Sequence, residues 1–135
     1  LVNPASGGNH YHCGDMLDLH NYPAPEMYLY DGARANVLGE YGGIGLVLKD
    51  HLWEPNRNWG YIQFNSSKEA TDEYVKYAEQ LYRMISQGFS AAVYTQTTDV
   101  EIEVNGLITY DRKVIKLDEE RVRDINRRIC ESLNK

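Results

Sequence analysis

Short apolar runs separated by polar connections fill the first third of the chain, and two amphipathic runs fill much of the rest. Leu1-Val2-Asn3 reads as the end of a strand, broken by Pro4 and the loop ASGGNHYHCG. Asp15 to Pro23, DMLDLHNYP, sets Met16, Leu17 and Leu19 in a second strand that stops at the proline. A Pro-rich connection, PAPEMYLYDGAR, follows, with room for a turn or two of helix at Glu26 to Tyr30. ANVLGEYGG is a third short buried strand. From Ile44 to Ser66 the chain is rich in Trp, Asn and Gly and reads as an ordered loop. Loops longer than about 12–15 residues are usually functional or linkers, and this one is too aromatic for a linker.

Helical spacing begins at Ser66, which with Glu69 forms a capping-box pattern. Ala70, Tyr74, Tyr77, Ala78, Leu81 and Ile85 recur on one face until Gly88 ends the run. Phe89 to Gln96, FSAAVYTQ, is a fourth buried strand. Alternation at Val100, Ile102 and Val104, then Asn105-Gly106, predicts a two-stranded excursion or an irregular loop. The last run has Asp118 as N-cap, with Val122, Ile125, Ile129 and Leu133 facing one way. Its arginines read as a solvated face.

Apolar strands alternating with helices or long connections predict an α/β fold with parallel strands. His20-Asn21-Tyr22, Glu40-Tyr41 and Tyr94-Thr95-Gln96 each follow a strand. In a (β/α) barrel, the active site lies at such C-terminal strand ends.

Length and charge narrow the picture. The 135 residues suffice for one domain with a modest core. A formal charge of -6 argues against nucleic acid and anionic membrane as partners, because both attract basic surfaces. No apolar run approaches the roughly 18 residues that cross a bilayer, and no signal-peptide pattern opens the chain. Beginning on Leu1 within an apparent strand, the chain is expected to be a piece of a longer one. Cys13 and Cys130 have no metal-type spacing, and two cysteines indicate neither a disulfide framework nor a compartment.

Glu40 is the candidate that the pattern isolates. A carboxylate closing a buried strand is costly unless something requires it. Gly39, Gly42 and Gly43 around it let backbone or ligand approach closely, which suits a nucleophile or general base as well as a solvent-facing strand end. GGIG, Gly42 to Gly45, lacks the spacing and the following helix of a phosphate-binding loop, so no nucleotide or other cofactor is assigned. His10 and His12, with Cys13, Asp15 and Asp18, include no third ligand at a recognised spacing, and no metal is assigned. His20 and Tyr22 alternate to one side after their strand and are substrate-contact candidates. Trp53 and Trp59 either anchor the long loop or stack on a sugar face. Tyr94 and Gln96 are expected to face the same cavity. Asp99, Glu101 and Glu103 read as loop charges or partners of the arginines between Arg112 and Arg128.

LVNPASGG, GDMLDLHNYP, VLGEYGG and AAVYTQTTDVEIEVNGLITYDR together resemble the second half of the catalytic barrel of glycoside hydrolase family 2. That family contains β-galactosidases, β-glucuronidases and β-mannosidases. The segments run in family order as barrel strands five to eight, so the resemblance implies a partial TIM barrel over 1–135. It also implies a parent that is a retaining β-glycosidase, periplasmic or secreted. GEYGG resembles the end of strand seven, so the nucleophile falls on Glu40, the assisting tyrosine on Tyr22, and the pocket wall on His20, with Asn21 beside it as a further substrate-contact candidate. Tyr94 stands where many members have a Trp, which leaves the sugar open. The family's acid/base glutamate lies in an Asn-Glu pair, and this chain has none. Retaining hydrolysis needs two carboxyl groups about 5–5.5 Å apart. The chain is therefore expected to be inactive by itself, and to self-associate through the open edges of a half-barrel.

Overall fold

Residues 1–8 and 10–133 are described by a computed structural model. The fold is mixed α/β: a small parallel sheet and two helices. Three parallel strands, β1 (Met16–Asn21), β2 (Ala35–Gly42) and β5 (Phe89–Thr95), form the sheet in the order β1-β2-β5. Leu17, Leu19 and Leu38 are β-compatible side chains fully buried against α1 (Ser67–Met84), whose Ala70, Tyr74, Tyr77, Ala78 and Leu81 supply the opposing stripe. Ser66 Oγ accepts from Glu69 N at 3.2 Å, and Gly88 closes the helix at φ 95, where a side chain would be strained. The second helix, α2 (Glu119–Cys130), starts on Asp118 and packs beside α1 through Val122, Ile125 and Ile129. Leu133 departs from that stripe and is 79% exposed, beyond the end of the helix.

Several expectations are corrected. Leu1–Asn3 form no strand: Val2 is tied to Asp15 by one backbone and one side-chain bond, and Pro4 has no N–H to extend a ladder. Glu26 to Tyr30 are not helical: the Pro25 carbonyl, which a helix beginning there would offer to the Leu29 amide, accepts from Gln80 Nε2 at 2.8 Å. The stretch read as one long loop contains two short parallel strands, β3 (Ile44–Leu46) and β4 (Ile62–Phe64). β5 is an edge strand, not a buried one, with Val93 56% exposed. After it, isolated bridges hold an irregular loop.

That loop is pinned from inside. Lys116 Nζ donates to Asp99 Oδ1 and to the Val104 carbonyl, each at 2.7 Å, and Gly106 N donates to the same carboxylate oxygen at 2.8 Å. Asp99 therefore pairs with a buried lysine, not with an arginine. The arginines of α2 are exposed but not idle: Arg121 bonds Asp72 and Arg128 bonds Glu79, both on α1. No helix among the described residues is long and apolar enough to cross a membrane.

Candidate functional site

Parallel pairing brings the C-terminal ends of β1, β2 and β5 together, and a β-bulge decides what β2 presents there. Leu19 pairs with Leu38, but His20 pairs with Glu40, so Gly39 is an extra residue. The register of β2 against β5 slips over the same residues. Without the bulge, strict alternation would put Glu40 on the core face with Leu38. With it, Leu38 and Tyr41 both enter the core and Glu40 turns to the opposite face. The freed Gly39 N–H donates to Asp18 Oδ1 at 3.0 Å, and Asn3 Nδ2 donates to Asp18 Oδ2 at 2.6 Å. A Cβ on Gly39 would collide with that carboxylate. Gly39→Ala is therefore expected to cost about 1–3 kcal/mol, measured as a lowered urea midpoint; an unchanged midpoint would mean that Asp18 swings clear.

Around Glu40 the polar contacts converge on one oxygen. Tyr22 donates its phenol proton to Glu40 Oε2 at 2.8 Å, and His20 Nδ1 lies 3.4 Å from the same atom. With the phenol proton committed, Thr95 Oγ1, 2.6 Å from the Tyr22 oxygen, is the donor in that contact. Burial pushes the Tyr22 phenol well above its ordinary range, and the Glu40 carboxylate pushes it further, so it stays a donor at neutral pH. On its far side, His20 Nε2 is 3.1 Å from Ser6 Oγ and 3.8 Å from Asp18 Oδ1. Tyr61 stacks flat on Tyr22 with centroids 3.6 Å apart, and Trp59 meets Tyr61 edge-on at 4.6 Å. Gly43, at φ 66, leaves the space that Tyr61 needs.

Glu40, Tyr22 and His20 are thus together, with Trp59 joined to them through Tyr61. The other candidates lie elsewhere. Tyr94 does not face this cluster: one position before Thr95 on β5, it points to the opposite side, against Tyr41 and Tyr74 in the core. Asn21 donates to the Ala24 carbonyl at 2.8 Å, stabilising the turn after β1. Gln96 donates to Glu103 Oε2 at 3.0 Å and Asn105 Oδ1 at 2.7 Å, anchoring the following loop. Trp53 packs edge-on against Tyr110, beside the His51–Asp111 contact at 2.8 Å. Among the described residues, no three His, Cys, Asp or Glu side chains are grouped as metal ligands.

Asp18 and Tyr61 join the site without a sequence signal that assigns them to it. Asp18, flanked by leucines, looks like part of a continuous core strand, and its partners Asn3 and Gly39 are 15 and 21 positions away. Thr95 is legible in principle, as the residue that alternates against Tyr94. No protein-family model matches the chain, and no curated protein matches it.

Proposed function

We propose that this chain is the C-terminal half of the (β/α) barrel of a retaining β-glycosidase of the family 2 type, and that Glu40 is its nucleophile. The observation that carries the reading is the Tyr22–Glu40 hydrogen bond. It joins two residues 18 positions apart that the resemblance assigns to one task. Three parallel strands whose ends converge on Glu40 also suit a barrel segment.

Tyr22 and His20 hold Oε2, leaving Oε1 to attack. The carboxylate forms a bond to the anomeric carbon as the bond to the leaving oxygen breaks, and water later hydrolyses the glycosyl ester with net retention. The proton for the leaving oxygen comes from a carboxylic acid that this chain does not supply. Natural glycosides with poor leaving groups are therefore expected to resist it, whereas activated ones need little protonation. Trp59 and Tyr61, both partly exposed, offer aromatic faces to the C–H face of a pyranose.

The deciding experiment is incubation with 2-deoxy-2-fluoro-β-glycosyl fluorides, followed by intact-mass and peptide analysis. Fluoride leaves without protonation, so one glycosyl adduct on Glu40 supports the reading. An adduct on another residue, or none with any sugar, would sink it.

A rival class is a carbohydrate-binding half-barrel without catalysis. It is favoured by the same exposed aromatic row, and by sugar-dependent quenching of Trp fluorescence without an adduct. Self-association belongs to either version. The unpaired edge of β5, with Val93 exposed, offers backbone donors and acceptors to a second copy. Sedimentation velocity is expected to show a dimer or larger species that Val93→Lys shifts towards monomer.

A further inference from the structure

Ser6, His20 and Glu40 line up across the end of β1. Ser6 Oγ is 3.1 Å from His20 Nε2, and Glu40 Oε2 lies 3.4 Å from Nδ1 of the same ring. A carboxylate only accepts, so the ring proton belongs on Nδ1, and Nε2 is left to accept from the Ser6 hydroxyl. A hydroxyl against a base, with that base oriented by a third group, is the arrangement of an activated nucleophile.

The surroundings fit the same chemistry. Asp18 Oδ1, on a side chain 5% exposed, is 3.8 Å from Nε2, so an imidazolium formed here sits between two carboxylates. Ser6 is exposed, and Gly7 and Gly8 follow it at φ 66 and 73. Among the described residues, their N–H groups make no backbone hydrogen bond. A Cβ on Gly7 would lie 2.6 Å from the His20 ring, so this glycine lets the loop press Ser6 onto the imidazole. Beside Gly8 an added Cβ would meet nothing within 4 Å.

We propose that Ser6 is the nucleophile of a second activity, hydrolysis of carboxylic esters with small acyl groups. The open side at Gly8 offers room but no wall, which suits an acetyl or similar group. Ser6 Oγ bonds to the acyl carbon as its proton passes to His20 Nε2, and the Gly7 or Gly8 N–H donates to the developing oxyanion. The bond to the alcohol oxygen breaks as His20 returns the proton to that oxygen. Water then attacks the acyl-serine, its proton moving through His20 to Ser6 Oγ as the carboxylic acid leaves. Glu40 is here a positioning residue acting through Oε2, which leaves Oε1 to its own chemistry.

Incubation of the whole chain with an alkyl fluorophosphonate, read by intact mass and peptide mapping, tests this. One adduct is expected, on Ser6, formed at least about a hundredfold more slowly in His20→Gln. p-Nitrophenyl acetate should be hydrolysed with an initial burst that Ser6→Ala loses. Nitrogen NMR of the imidazole is expected to find the proton of neutral His20 on Nδ1 in the unaltered protein, a readout that needs no variant to fold. Glu40→Gln should shift it towards Nε2. No adduct, an adduct elsewhere, or labelling unchanged in His20→Gln overturns the proposal. So does a proton on Nε2 in the unaltered protein, a proton that Glu40→Gln does not move, or ester hydrolysis that survives Ser6→Ala. Labelling by glycosyl fluorides is judged separately. An adduct on Ser6 without one on Glu40 keeps the esterase and discards the glycosidase; the opposite pair does the reverse.

Discussion

Any residual hydrolysis of an activated aryl β-glycoside, whose leaving group needs little protonation, is expected to fall at least about a thousandfold in Glu40→Gln, with little change in the urea midpoint. The substitution is isosteric and removes the charge that attacks carbon. The carbonyl of the introduced amide can still accept the Tyr22 phenol, and the side chain it replaces is 44% exposed, so the fold has little to lose. Loss of rate alone would not separate a nucleophile from a group that only shapes the pocket. Glu40→Gly with added azide does separate them. Azide entering the vacated space displaces the activated β leaving group once, and the product is the α-glycosyl azide. Recovery of rate with that product would identify the face from which Glu40 attacks. Recovery with a β product, or full activity in Glu40→Gln, would remove Glu40 from the nucleophile's role.

Lys116→Met is expected to be the most destabilising single change, by about 3–5 kcal/mol. The Lys116 and Asp99 side chains are 0% and 5% exposed, and their contact is 2.7 Å. Burial pulls the lysine down and pushes the aspartate up despite the pairing, so desolvation outweighs what each gains from its partner. Methionine fills similar volume, yet it strands Asp99 without its cation and leaves the Val104 carbonyl without the lysine donor. Urea unfolding measures the loss. The double variant Asp99→Leu/Lys116→Met is expected to recover a large part of it, since removing both charges removes the stranded one. No loss in the single variant would mean that water reaches the pair, which would then contribute little.

Features written locally are legible without any knowledge of the fold. The first helix announces itself by Ser66, Glu69 and Gly88, and the second by Asp118, because caps and stripes depend on neighbours within a few residues. β1, β2 and β5 are likewise visible as apolar runs between breakers. β3 and β4 are not, because three residues each are too few to display alternation. Sequence alone puts Tyr94 on the wrong face because nothing in FSAAVYTQ says which phase of β5 meets the core. That is set by Tyr41 and Tyr74, contributed by other elements. The Asp99–Lys116 pair is a 17-residue closure with ordinary loop residues at both ends, and only the folded chain joins them. Glu40 is legible because its neighbours are glycines; the reason it faces outward is not.

The extra residue in β2 has a further effect on how the strand tolerates change. Upstream of Gly39, Asn36 and Leu38 are the buried positions; downstream, Tyr41 is buried and Glu40 is not, so the phase has reversed. Packing substitutions in the first half need not rotate the second, because the mismatch is absorbed where the Gly39 amide leaves the ladder for Asp18. Core repair and changes at the acidic end can thus accumulate separately along one eight-residue strand, while forcing Gly39 back into the ladder at constant length would exchange the carboxylate with the Tyr41 ring.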